Sequence, residues 1–130
     1  VALIVDESAY PIIVVRFAET ISEADWDEYL RLASKYVALE DGVVLVHDHL
    51  LGGTPNSTQR NHAAALFRDP RVKKAVRGSA IVTRSAIVRG AATAVIWLVK
   101  QPVPMKMFAA LPEAIDWAKT LLPASNRKQA

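Results

Sequence analysis

Short runs of aliphatic and β-branched residues, separated by stretches of helical period, constrain this chain more than any other feature. Ala2-Leu3-Ile4-Val5, Ile12-Ile13-Val14-Val15-Arg16-Phe17, Val43-Val44-Leu45-Val46 and Ser79-Ala80-Ile81-Val82-Thr83 each predict a strand. The second run has no polar alternation, as a strand covered on both faces requires. Asp6 to Pro11 joins the first two runs as a turn, giving an opening hairpin. Met105-Lys106-Met107-Phe108 alternates and predicts a short edge strand.

Helices are expected between these strands. Ser22 stands at a cap position with Asp25 three residues on, a variant of the capping box, and Ile21 and Trp26 are placed to form a hydrophobic staple. Trp26, Tyr29, Leu30, Ala33 and Val37 then mark one apolar face. A second helix follows the Gly52-Gly53-Thr54-Pro55-Asn56 loop, capped by Asn56 or Ser57, with Ala63, Ala64, Leu66 and Phe67 on it. Ser85 caps a third helix from Ala86 to about Lys100, and Pro112 opens a last one carrying Ala114, Ile115, Trp117, Ala118, Leu121 and Leu122. The order is ββαβαβαβα. Strands alternating with helices imply an α/β fold, with a mixed, mostly parallel sheet of four to five strands and helices packed against it. No repeat or linker divides the chain, so one domain is expected over 1–123, with 124–130 as a flexible C-terminal tail.

Composition narrows the chemistry. The 52% hydrophobic and 22% charged residues are those of a packed globular chain of 130 residues. There is no cysteine, which excludes disulfides, thiolate metal sites and cysteine nucleophiles. No segment has the pattern of a secretory leader. The longest apolar stretch, Ala86 to Val99, is interrupted by Arg89 and too short to span a bilayer. A cytoplasmic location without a membrane span is the expectation.

Three stretches carry a resemblance to a known family: Pro55-Asn56-Ser57-Thr58-Gln59-Arg60, Val82-Thr83-Arg84-Ser85-Ala86-Ile87-Val88-Arg89-Gly90-Ala91, and Phe108-Ala109-Ala110-Leu111-Pro112-Glu113-Ala114-Ile115-Asp116-Trp117. With the opening hairpin and the closing strand-helix pair, they make the chain resemble the STAS/SpoIIAA-like superfamily, and more narrowly bacterial stand-alone SpoIIAA-like proteins. The resemblance implies a regulatory or interaction module without catalytic residues or cofactors. In anti-sigma antagonists of that kind, a serine at the start of the helix after the third strand is phosphorylated by a partner kinase. Ser57 and Thr58 occupy that neighbourhood, although the Asp-x-Ser turn is missing and the loop is longer and glycine-rich.

Four constellations are candidates for chemistry. His47 and His49 share one side of a strand, with Asp48 opposite, and His62 follows on the next helix; as metal ligands they fit no established spacing. The alternative is a strand leaving the sheet with its polar side chains partly solvated or hydrogen-bonded. Thr54, Ser57, Thr58, Arg60, Arg84 and Ser85 begin two helices at the carboxyl end of the sheet, where a small anionic ligand can bind; capping alone also explains the serines. Arg68 to Arg77 is basic, but Val72, Ala75 and Val76 make it an ordinary amphipathic segment, so no nucleic-acid partner is expected.

The segment Ala86 to Val99 is apolar around nearly its whole circumference. One face is Ile87, Ala91, Ala94, Val95 and Leu98; Val88, Arg89, Ala92, Ile96 and Val99 lie elsewhere on it. If the first set meets the sheet, the second is an interface, most simply of a homodimer, or else the flanking helices hide it. The leading functional expectation is therefore a non-catalytic module that binds itself or a protein partner through this helix. The alternative is a small-ligand or lipid-carrier domain, and behind that a histidine-based metal hydrolase.

Overall fold

The computed structural model describes residues 2–99 and 103–123, with residues 95 and 97–99 described by their backbone only. The elements are β1 (Ile4–Asp6), β2 (Ile12–Arg16), α1 (Glu23–Leu39), β3 (Val43–Asp48), α2 (Ser57–Phe67), α3 (Val72–Ala75), β4 (Val76–Val82), α4 (Ala86–Val99), β5 (Met105–Phe108) and α5 (Leu111–Thr120). They form a five-stranded sheet in the order β1-β2-β3-β4-β5. The first pair is antiparallel and the other three pairs are parallel, the mixed and mostly parallel sheet expected. The expected tail, 124–130, lies outside the described residues.

Three local outcomes differ from the sequence reading. The basic segment contains a short helix, α3, whose Val72 and Ala75 are buried while Lys73 and Lys74 stay out. β3 continues through His47 and Asp48, and β4 starts at Val76 rather than Ser79. At the start of α1, Ser22 Oγ accepts from the Asp25 N–H at 3.0 Å, as a cap should. The Asp25 carboxylate does not return to Ser22, however; it accepts from the Ala2 N–H at 2.9 Å and ties the opening segment to the helix.

Strand alternation divides the core in two. Ile12, Val14, Val44, Val46, Ala80 and Val82 point to one side and meet Ala114, Ala118 and Leu122, so that side is covered by α5. Ile13, Val15, Val43 and Leu45 point to the other, where they meet Trp26, Tyr29, Ala33, Tyr36 and Val37 of α1, Ala63, Ala64 and Phe67 of α2, and the α3 residues. Among the described residues α4 packs chiefly on α2. Gly53, in the β3–α2 loop, passes so near the β2–α1 loop that a Cβ there would sit 2.2 Å from the Ala18 carbonyl oxygen. Only glycine permits that approach.

Candidate functional site

The period-two pattern that sends Val43 and Leu45 toward α1 continues to His47 and His49. The ladder carries on past the end of β3, where the His49 N–H donates to the Val82 carbonyl at 2.8 Å, so the second imidazole stays in line with the first. Both are buried, 4% and 6% exposed. This corrects the picture of a strand leaving the sheet, since the sheet's hydrogen bonds hold it in; of the two states expected for its side chains, the imidazoles are hydrogen-bonded rather than solvated. Phe17, just beyond β2, stacks on His49 with ring centroids 4.5 Å apart and planes 9° from parallel. Trp26 and Tyr29 from α1 close round Phe17 at 5.9 and 5.3 Å.

Acceptor chemistry fixes the tautomers. His47 Nδ1 lies 3.2 Å from the Ala80 carbonyl oxygen, which can only accept, so Nδ1 carries the proton. Nε2 then accepts from the Tyr29 hydroxyl at 2.7 Å. Burial, aided by the neighbouring His49, pushes the His47 pKa down to about 4, against the pull of the Ala80 carbonyl. His49 Nδ1 donates to the Gly53 carbonyl at 3.0 Å, the contact that the loop's close approach permits, and burial lowers its pKa too. Burial also raises the Tyr29 hydroxyl. Ser79 Oγ sits 3.2 Å from His47 Nδ1, but that nitrogen is already protonated and cannot take a proton from it. The pair is not arranged as nucleophile and base.

Above the imidazoles lies a cavity of about 60 Å³ that opens to the surface, walled by the aromatic group, Ala63 and Phe67 of α2, and Val88, Ala91 and Ala92 of α4. Sequence reasoning singled out the histidines but missed Phe17, Trp26, Tyr29 and Ser79. The signal was present in the unbroken parity from Val43 to His49 and in the aromatic spacing of Trp26 and Tyr29.

The other predicted residues are placed as follows. His62 is exposed on α2, and no three His, Asp or Glu side chains gather as a metal site among the described residues. Asp48 faces away from the histidines, as expected, and is buried against Arg16 Nε at 3.1 Å. Asn56 rather than Ser57 caps α2, through a full capping box with Gln59, leaving Ser57 and Thr58 exposed. The parallel neighbours β3 and β4 bring the starts of α2 and α4 to one edge of the sheet. There Thr54 Oγ1 donates to the Gly52 carbonyl at 3.3 Å, Arg60 Nη1 to the Pro55 carbonyl at 2.9 Å, and Ser85 Oγ caps Val88 N–H at 3.3 Å. Arg84 is exposed.

On α4 the expected phase holds only in part: Ala91 is buried and Arg89 exposed as expected, but Ile87 and Val88 have exchanged sides. Val88 points inward and is 1% exposed, whereas Ile87 is 74% exposed. A helix apolar on every side carries no phase in its sequence, and the inward residues are set by how it leans on α2. Val88 and Ala92 therefore line the cavity, Arg89 and Gly90 are exposed, Ile96 is half-buried, and the side chain of Val99 lies outside the described residues.

The model of the family described as SpoIIAA-like matches residues 12–119, nearly all of this sheet and its helices. The chain belongs to the SpoIIAA-like family. A crystal structure of a protein from Shewanella loihica PV-4, described as an uncharacterized member of the DUF3478 family with a SpoIIAA-like fold, is similar with a TM-score of 0.63 at 16% identity. The likeness covers 90% of this chain and 92% of that one, and at this identity it speaks for the fold. No match to a curated protein was found. SpoIIAA-like domains are in general non-catalytic regulatory or interaction modules. No helix among the described residues of this SpoIIAA-like chain is long and apolar enough to cross a membrane.

Proposed function

We propose that this chain is a non-catalytic interaction module that pairs with a second copy of itself through the outward side of α4. The observation that carries the reading is Ile87, a large aliphatic side chain 74% exposed on a helix of almost wholly apolar sequence. One turn on, Gly90 has nothing within 4 Å of where its Cβ would stand, so a neighbouring helix can approach the backbone closely. Ala94 continues the same stripe at helical spacing, and Arg89 borders it with its head free to stay in water. A stripe of this kind is self-complementary, and a two-fold axis is the simplest way to cover it. Val88, an interface candidate in the sequence, does not take part because it is spent on the inside.

Sedimentation equilibrium of the parent and of Ile87→Glu tests this. The parent is expected as a dimer and the variant as a monomer with an unchanged circular dichroism spectrum. A parent that stays monomeric over the accessible concentration range overturns the reading.

A further inference from the structure

Charge is divided along this chain far more sharply than its formal net of +3 shows. Residues 1–48 hold ten Asp or Glu against three Lys or Arg, whereas residues 49–110 hold ten Lys or Arg against Asp69 alone. The strands lie in the sheet in sequence order, so a division along the chain becomes a division across the molecule. The first stretch builds β1, β2, α1 and β3 and exposes Glu19, Glu23 and Asp27; the second builds α2, α3, β4, α4 and β5. α2 packs on both α1 and α4, which sets those two helices toward opposite margins of one side of the sheet. At the α4 margin Arg84 and Arg89 are exposed, and neither forms an ion pair among the described residues. Neither α4 nor α2 has an acidic residue to offer them.

We propose that pairing through α4 is gated by ionic strength: the chain's own cations hold two copies apart until salt screens them. The gate rests on the two-fold pairing proposed above, because that symmetry sets each basic margin against its like. Packed helices lie about 8–10 Å apart, so Arg84 and Arg89 of one copy come within reach of the same residues of the other. With no carboxylate on either helix to answer them, these side chains bring only repulsion to the rim of the contact. The screening length is about 30 Å at 0.01 M salt and about 8 Å at 0.15 M, values that bracket this separation. A contact between opposite charges weakens as salt is added. This one strengthens. The apolar stripe supplies the attraction, and the arginines set the condition under which it acts.

Sedimentation equilibrium of the full chain in about 0.01 M and about 0.15 M sodium chloride tests the gate. The association constant of the parent is expected to rise about threefold or more at the higher salt. Arg84→Gln combined with Arg89→Gln removes both cations and leaves Ile87, Gly90 and Ala94 in place. This double variant is expected to pair at the lower salt as tightly as the parent does at the higher. Lys35→Gln removes one cation from the exposed side of α1, at the acidic margin, and is expected to keep the parent's salt response. Three results overturn the gate and leave the pairing standing: a dimer of constant strength, a double variant that pairs no more tightly at low salt, or a salt response lost equally in Lys35→Gln. Pairing that weakens with salt overturns the gate and the two-fold contact together, because it sets the acidic margin of one copy against the basic margin of the next. A parent monomeric at both concentrations overturns the pairing, and the gate with it.

Discussion

The two sides of the sheet are built from alternate residues of the same strands, yet they are finished in different ways. On the α5 side, small and aliphatic residues meet: Ala80 and Val46 from the sheet, Ala114 and Ala118 from the helix, all fully buried. Their size lets one helix settle close enough to cover the inner strands. On the other side Phe17, Trp26, Tyr29, His47 and His49 are large, flat and partly polar, and α1, α2 and α4 together leave a cavity among them. The contrast separates a face shaped for closure from one shaped around hydrogen-bonding groups. A chain gains stability from the first and keeps room for recognition on the second.

The sharpest way to break this comparison is to add the same bulk to each side. Ala114→Leu is expected to cost about 3 kcal/mol, since a fully packed interface accepts added methylenes only by strain, while Ala92→Leu should change stability by less than about 1 kcal/mol. Urea unfolding of the two variants checks this, and equal costs would mean that the sides are packed alike.

Acid should act through the polar side. His47 is neutral in the folded chain down to a pKa of about 4, against an ordinary value of 6.5 once unfolded. Between these values the unfolded chain holds the extra proton, so its contribution is complete above the ordinary value and is lost as pH falls from 6.5 toward 4. Between about pH 7 and pH 5 this amounts to roughly 2 kcal/mol. Unfolding curves of the parent should show that loss, and those of His47→Gln much less of it.

The smallest effect belongs to α4. Gly90→Ala should stabilise the subunit by about 0.5–1 kcal/mol, because an exposed helical glycine gains from a methyl group that meets nothing. The same methyl should hold a second helix away, so sedimentation should show weaker pairing in a more stable protein.

The strand-helix order was legible because β-branched runs and helical spacing are local signals, and the run from Ile12 to Phe17 behaves as its lack of polar alternation predicts. The capping of α1 was half legible. Ser22 acts as the spacing says, whereas the partner of Asp25 is Ala2, far away in sequence. The orientation of α4 was not legible, since its apolar residues point everywhere and only contact with α2 chooses among them. The burial of the histidines was hidden for a related reason. Polar residues at a strand end suggest departure, and the bonds that keep them in the sheet come from β4 and from the loop at Gly53.

One consequence follows from leaving a whole side of the sheet to α5. That helix comes after every strand it shields, so a nascent chain still short of Leu111 has Ile12, Val14, Val44, Val46, Ala80 and Val82 without Ala114, Ala118 and Leu122 over them, and with Ala9 and Phe108 alone from the cluster's margin beside them. During synthesis these side chains make an oily slab, the kind of surface that chaperones hold and that clumps when they do not. A proteolytic nick just ahead of α5 would recreate that hazard in the finished molecule.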